Sequence, residues 1–229
     1  MGEIMINLRY FCIDFLNTMP VIYNKDVDDQ TTLAVWKIEE REEDLISGLQ
    51  LKAHELDFLA TLNNGKRLLH WLSTRLLLRT MLNTADYIDC RMDEHGKPYL
   101  VNSSSSISLS HSFDYAAVMI SKNRAVGVDI ELIKPKIHRI QHKFLSASEL
   151  AHVKDDTDAL YVCWCVKEAI YKWYGKKGLE FKRDMLIQPF DLKEEGSLTT
   201  IVNLPEGTKT LEASYFKTAD GYMLGYVVA

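Results

Sequence analysis

The strongest constraint on the fold is a short alternating segment at residues 126–131. It reads Val-Gly-Val-Asp-Ile-Glu, so that apolar residues alternate with small or acidic ones. This is the period-two pattern of a strand with one apolar face. Asp129 and Glu131 then share the other face, with roughly 6.6 to 7 Å between them along the strand. Both carboxylates can reach a single hard cation, because cations such as Mg2+ take oxygen ligands.

A second constrained segment follows at residues 164–172, Trp-Cys-Val-Lys-Glu-Ala-Ile-Tyr-Lys. Trp164, Glu168 and Lys172 are spaced four residues apart, which places them on one stripe of a helix. Neither the strand pair nor the helix pair alone is strong evidence for a site, because such pairs ordinarily lie on the surface in contact with solvent. Together they indicate a metal with three oxygen ligands and a lysine for phosphate charge.

The two segments, in this order, resemble the two signature motifs of the 4'-phosphopantetheinyl transferases, specifically the larger, surfactin-synthetase-activating type. The resemblance extends from about residue 96 to residue 178. It implies an α+β fold of two similar subdomains, related by a pseudo-two-fold axis, with the ligand cleft between them. We therefore predict an N-terminal subdomain at residues 1–123 and a C-terminal subdomain at residues 124–229 that carries the metal and catalytic motifs. The chain shows no sequence repeat that would support the two halves independently.

The resemblance also implies a reaction and the residues that perform it. Phosphopantetheine moves from coenzyme A, the co-substrate, to a serine of an apo acyl or peptidyl carrier protein, and 3',5'-ADP is released. Asp129, Glu131 and Glu168 are the expected ligands of Mg2+ or Mn2+. Glu168 is also the expected general base, and Lys172 is expected to hold the phosphate that becomes free. Lys167 points about 100° away from Glu168 on a helix, so we expect it to pair elsewhere.

The expected coenzyme A contacts come from three segments. Arg67 lies near the start of the strongest predicted helix, residues 66–82, where backbone amides also favour phosphate. Lys97 and Pro98 lie in a Gly-Lys-Pro turn that is placed against the nucleotide in the resembled family. Ser110 and His111 belong to Ser-His-Ser, whose histidine binds the 3'-phosphate of coenzyme A in that family. A Ser/His nucleophile is the competing interpretation of this segment, but no G-x-S-x-G pattern supports it.

One residue departs from the resembled pattern. His70 stands immediately before a tryptophan, where relatives tend to carry an acid, which leaves its partner open. The remaining elements are predicted from apolar periodicity. Strands are expected at 5–12, 31–38, 87–91, 107–112, 115–121, 187–192, 199–204, 211–216 and 222–228, and helices near 137–144, after 146, and from 157 or 158 to 174.

Composition narrows the class of protein. The chain has 229 residues and a formal net charge of −5, so no global basic field favours nucleic acid. We see no signal peptide and no segment near the ~20 apolar residues that a membrane span needs. Four cysteines without a C-x-x-C pair indicate reduced thiols rather than a zinc site. The expectation is a monomeric cytoplasmic enzyme with no nucleic-acid or membrane partner.

A carrier-protein docking patch is expected just after the second motif. Residues 172–183 are rich in lysine and include Leu179 and Phe181, which could serve as apolar anchors in a charged rim. Two other function classes stay open from the residues alone. One is another metal-dependent phosphotransferase or phosphohydrolase that uses the same carboxylates, and the other is a non-catalytic module that binds coenzyme A or carrier proteins.

Overall fold

The computed structural model describes residues 21–62 and 65–229. The predicted strand at 5–12 lies outside these residues. The strands are β1 Val21–Asp28, β2 Thr31–Lys37, β3 Cys90–Met92, β4 Pro98–Leu100, β5 Ser106–Ser112, β6 Tyr115–Ser121, β7 Val126–Leu132, β8 Met185–Ile187, β9 Glu195–Leu204, β10 Gly207–Lys217 and β11 Tyr222–Val228. The helices are α1 Glu42–Ser47, α2 Ala53–Thr61, α3 Lys66–Leu82, α4 Gln141–Phe144, α5 Ala147–Val153, α6 Thr157–Tyr174 and α7 Phe181–Asp184, with a 3-10 turn at Pro135–Arg139.

The first sheet has the order β1-β2-β6-β5 and is antiparallel throughout. Helix α3 covers one of its faces. Leu72 and Leu77 of this helix pack with Trp36 and Val118 of the sheet in one buried cluster. The leucines along one side of α3 are therefore buried against the apolar face of this sheet and removed from water.

The second sheet has the order β7-β11-β10-β9-β8 and is also antiparallel. Helix α6 covers one of its faces, and two glycines permit the close contact. A Cβ on Gly127 would lie 1.9 Å from the Ala169 carbonyl oxygen, and one on Gly225 would lie 2.8 Å from the Cys165 backbone. Strands β7 and β11 thus meet the helix almost backbone to backbone, which fixes the helix over the strand that carries Asp129.

The apolar faces of the two sheets share a third cluster. It contains Val35 and Met119 from the first sheet together with Val128, Ile130 and Leu224 from the second. The layers therefore run helix, sheet, sheet, helix, and the α+β class is confirmed. The predicted subdomain boundary near residue 123 falls in the turn between β6 and β7, and it stays a prediction.

Several strands differ from the sequence-based prediction: β4 was not predicted, β3 lies later than expected, and β9 and β10 are longer. The largest differences are at β1 and β8. β1 lies in a segment that was expected to be a polar loop. The prediction missed this strand because its many polar side chains obscure the alternating pattern. Hydrogen bonds to β2 stabilise the strand instead. β8 ends at Ile187, earlier than the strand expected at 187–192. None of the helices in the described part of the chain combines the length and the apolarity required for crossing a bilayer.

Candidate active site

The acidic face of β7 lies against the Glu-Lys stripe of α6. Lys172 Nζ is 2.8 Å from Asp129 Oδ1 and donates a second hydrogen bond to the Val128 carbonyl oxygen at 3.0 Å. Gly127 makes this approach possible, since any side chain there would push α6 away. The strand pair and the helix pair that the sequence singles out thus meet in one place.

The carboxylates of this place interact electrostatically. Burial, and next the charge of Asp129, raise the pKa of Glu131. Burial, and next the charge of Asp129, raise the pKa of Glu168 to about 7, although Lys172 opposes the shift. Acids whose pKa is raised by a neighbouring carboxylate, as for Glu131 and Glu168, form an environment that a cation relieves.

Asp129, Glu131 and Glu168 offer carboxylate oxygens, which are suitable ligands for a divalent cation. Asp129 is 6% exposed, and its Oδ2 is buried without a hydrogen-bond partner in the described part of the chain. An orphaned carboxylate oxygen is costly unless something binds it, and a hard cation is a suitable partner. As placed, however, no three Asp, Glu, His or Cys side chains within residues 21–62 and 65–229 already stand as a ligand set.

Beside the carboxylates lies a cleft of about 430 Å³. Both sheets' helices contribute to its walls, from Arg67 and Trp71 on α3 to Tyr171 and Lys172 on α6. Within the described residues its lining contains five Lys or Arg residues and no Asp or Glu: Arg67, Arg75, Lys97, Lys172 and Lys176. Such a wall attracts anions. Asp129, Glu131 and Glu168 are outside this lining, and Lys172 connects them to it.

His111 lines the cleft and stacks on His70, with ring centroids 4.2 Å apart. His70 is held in turn by a 2.6 Å contact between its Nε2 and the Phe113 carbonyl oxygen. Desolvation at the cleft wall, and next His70 and Lys172, lower the pKa of His111 to about 4. The ring is therefore neutral at neutral pH in the free protein. The open question of what His70 contacts is answered by this stack.

Lys97 and Pro98 also line the cleft. Lys97 Nζ donates a 2.7 Å hydrogen bond to the Trp173 carbonyl oxygen, and its alkyl chain lies so near Gly175 that a Cβ there would be 2.2 Å from Lys97 Cδ. Burial lowers the pKa of Lys97. In this structure Lys97 caps the C-terminus of α6, so the Gly-Lys-Pro turn joins the two halves as well as lining the cleft.

Ser110 is the one predicted coenzyme A contact that the structure does not bring to the cleft. Its hydroxyl is 2.8 Å from Asp129 Oδ1 and accepts the Ile130 N–H at 3.2 Å. The side chain points from β5 into the seam with β7 because alternate residues of a strand face opposite sides, and His111 takes the cleft side. In this structure Ser110 therefore contacts Asp129, and its expected phosphate contact remains a prediction.

Sequence reasoning missed Arg75. It is not among the coenzyme A contacts expected from the sequence, yet it is 8% exposed, lines the cleft and stacks over the Trp71 ring at 5.0 Å. Its Nε has no hydrogen-bond partner within the described residues. The available signal was its spacing of eight residues from Arg67, which places both guanidinium groups near one helical face.

The docking patch expected after α6 is wrong in its apolar part. Leu179 is 8% exposed and belongs to the core under α6, and Phe181 packs on Trp164 and Tyr171. Lys167, as expected, pairs elsewhere: it is fully buried and contacts Glu149 Oε1 at 2.7 Å. The apolar residues of segment 172–183 thus pack against the core and are not exposed as docking contacts for a partner.

Comparison with known proteins identifies similar sequences. Residues 125–227 match the family described as the 4'-phosphopantetheinyl transferase superfamily. The chain is 31% identical over 118 residues to a Haemophilus influenzae protein with the provisional name 4'-phosphopantetheinyl transferase, covering 48% of this chain and 50% of that one. It is 28% identical over 142 residues to the 4'-phosphopantetheinyl transferase Sfp of Bacillus subtilis, covering 59% and 61%. It is 30% identical over 125 residues to the transferase AcpT of Salmonella typhi, covering 51% and 64%. The matches span between half and just under two thirds of these relatives.

Proposed function

We propose that this chain, whose residues 125–227 belong to the 4'-phosphopantetheinyl transferase superfamily, transfers phosphopantetheine from coenzyme A to a serine of an apo acyl or peptidyl carrier protein. One observation carries the proposal. Asp129 and Glu131 of β7 meet Glu168 and Lys172 of α6 at the edge of a cleft with a basic lining. The relatives' names support the same activity.

The cleft suits coenzyme A in charge and in shape. Coenzyme A carries a 3'-phosphate and a pyrophosphate, and guanidinium and ammonium groups bind phosphate oxygens through charge-assisted hydrogen bonds. Arg67 and Arg75 supply such groups from α3, while Lys172 and Lys176 supply them from α6 and the turn after it. His111 adds an imidazole N–H to the same lining. Apolar residues between them, such as Trp71 and Leu109, give flat surface for the rest of the molecule.

Asp129, Glu131 and Glu168 are the residues that would hold a divalent cation, Mg2+ or Mn2+. When bound, the cation supplies charge neutralisation for the pyrophosphate and its leaving phosphate. The orphaned Asp129 Oδ2 supports this assignment. Lys172 adds a positive charge beside the same carboxylates, and it reaches both Asp129 and the cleft wall.

Glu168 is the candidate general base. The carrier serine oxygen forms a bond to the β-phosphorus of coenzyme A, the bond from that phosphorus to the bridging oxygen breaks, and 3',5'-ADP leaves with the electron pair. Glu168 takes the serine proton, directly or through a water molecule. The pKa of Glu168 is raised to about 7 in the free protein, and a cation bound beside it would lower that pKa. Glu168 would then be ionised at neutral pH and able to accept the proton. We propose, with the family, that the enzyme works as a cytoplasmic monomer.

The release of 3',5'-ADP separates transfer from hydrolysis. The full chain is incubated with coenzyme A and Mg2+, with and without apo carrier protein, and 3',5'-ADP is quantified. Transfer predicts release that requires the carrier protein. Equal release without carrier protein would instead identify a phosphohydrolase, and tight coenzyme A binding without any release would identify a binding module.

A further inference from the structure

A row of three serine hydroxyls joins the two sheets. Ser108, Ser110 and Ser112 alternate along β5, the last strand of the first sheet, and face β7, the first strand of the second. Each hydroxyl accepts one backbone N–H of β7. The donors are Val128 at 3.0 Å, Ile130 at 3.2 Å and Leu132 at 3.3 Å. Side chains here replace the backbone carbonyls that would pair two adjacent strands.

Two of the three hydroxyls make a second contact. Ser110 Oγ donates to Asp129 Oδ1 at 2.8 Å, and Ser112 Oγ donates to Glu131 Oε2 at 2.8 Å. A hydroxyl has one donor and two acceptor sites, so each of these serines binds a backbone N–H and a carboxylate at once. Ser108 makes the backbone contact alone, because the residue of β7 at the corresponding place is Gly127.

The hydrogen bonds leave one oxygen of each carboxylate uncommitted by the serines. Asp129 Oδ1 is held by Ser110 and Lys172, while the buried Oδ2 has no partner in the described part of the chain. Glu131 is held by Ser112 through Oε2. Hydrogen bonds that orient a metal-binding side chain in this way strengthen binding, because the ligand does not have to be ordered by the ion.

We propose that Ser110 and Ser112 are positioning residues that orient Asp129 and Glu131 for divalent-cation binding. Ser108 also lines the cleft, but among the described residues its hydroxyl binds only the Val128 N–H and no carboxylate. The inference rests on the proposed function, since it takes these carboxylates as the metal ligands. Ser110 and Ser112 are 5% and 7% exposed, and neither lines the cleft. They act on the cation site through the carboxylates and do not contact coenzyme A.

The row contains its own matched control. Mn2+ is titrated into the full-length wild-type chain and into Ser108→Ala, Ser110→Ala and Ser112→Ala, alone and again with saturating coenzyme A. Free Mn2+ is followed by electron paramagnetic resonance, and urea unfolding is measured for each variant. All three variants lose one hydroxyl that accepts a backbone N–H, and Ser110→Ala and Ser112→Ala also lose a hydrogen bond to a carboxylate. Unfolding therefore shows how much of any effect on Mn2+ binding comes from lost stability. Only Ser110→Ala and Ser112→Ala should weaken Mn2+ binding, by about tenfold or more.

Two results would overturn the proposal. The first is a Mn2+ dissociation constant for Ser110→Ala and Ser112→Ala equal to that of Ser108→Ala. The second is a wild-type chain that binds no Mn2+ under either condition. Failure of the proposed function has a different signature. Specific Mn2+ binding that depends on Ser110 and Ser112, without any transfer to carrier proteins, would leave the positioning role intact and refute the transferase assignment.

Discussion

The imidazole rings of His70 and His111 stack with their centroids 4.2 Å apart and their planes at 22°. His70 belongs to α3 and His111 to β5, so the stack connects the helix and the sheet edge that form one wall of the cleft. His70 is anchored to the Phe113 carbonyl oxygen, where the backbone takes a left-handed conformation with φ of 50°. The anchored ring therefore fixes the direction in which His111 faces the cleft.

The first prediction concerns His111. Replacing it with Ala should weaken coenzyme A by about tenfold or more and should weaken 3'-dephospho-coenzyme A less, because only the former has the phosphate that His111 would contact. The bound phosphate raises a pKa that is about 4 in the free protein. The wild-type advantage should thus grow as pH falls through the pKa of the bound form and level off near 4. Calorimetric titration of both ligands at several pH values tests this. Equal losses for the two ligands would make His111 structural.

The second prediction concerns Glu168. Glu168→Gln keeps the size of the side chain but removes its basicity and one anionic metal ligand, so transfer should fall by about 10²–10⁴-fold. The dissociation constant of coenzyme A should stay within roughly tenfold, because the basic cleft is unchanged. Glu206→Gln, at an exposed turn between β9 and β10, is the matched control. A Glu168→Gln enzyme that turns over like this control would remove Glu168 from the mechanism.

The third prediction separates two adjacent lysines. Both lysines are exposed, but Lys176 is among the residues that line the cleft and Lys177 is not. Lys176→Glu should raise the dissociation constant of coenzyme A by roughly three- to tenfold, with the loss largest at low salt. Lys177→Glu makes the same charge change and should leave this constant nearly unchanged. The two variants would behave alike if the effect were only a general change in net charge.

The fourth prediction concerns the buried Lys167–Glu149 pair. Lys167 Nζ also donates to the carbonyl oxygens of Phe144 and Phe181, so it ties α6 to the segments packed around it. Lys167→Met should lower the free energy of unfolding by about 3–5 kcal/mol, because it leaves the Glu149 charge buried without its partner. Lys143→Met, on the exposed side of α4, should change it by less than about 0.5 kcal/mol. Urea unfolding measures both, and a Lys167→Met loss as small as the control's would show that the pair is dispensable.

The sequence predicted secondary structure well where the spacing of apolar residues matches the buried face of a strand or helix. The alternation around Asp129 and the four-residue spacing of Glu168 and Lys172 predicted a strand face and a helix stripe, and both elements form. Their mutual contact followed from the family resemblance, because spacing within each element says nothing about which elements meet. Helix α3 was predicted to the residue, since its leucines repeat with a helical period over many turns.

Contacts between distant segments could not be predicted in this way. Ser110 was expected at a phosphate because its neighbours in sequence suggested it, whereas its partner Asp129 comes from another sheet. Leu179 and Phe181 were expected at the surface because lysines surround them. In the structure Leu179 is buried in the core beneath α6, and Phe181 packs against that core. Arg75 was not expected at the site, and only the packing of α3 beside the cleft shows that it is buried there. In each case the outcome depends on how elements pack against one another, which a local sequence pattern does not contain.

The most direct test of the central claim is the mass of a carrier protein. The full chain is incubated with coenzyme A, Mg2+ and each member of a panel of apo acyl and peptidyl carrier proteins, and intact-protein mass spectrometry follows. The account predicts that at least one carrier gains the mass of one phosphopantetheine, on its serine, and that the serine-to-alanine carrier gains none. A chain that binds coenzyme A yet modifies no carrier in the panel, or that cleaves coenzyme A equally well without one, would contradict it.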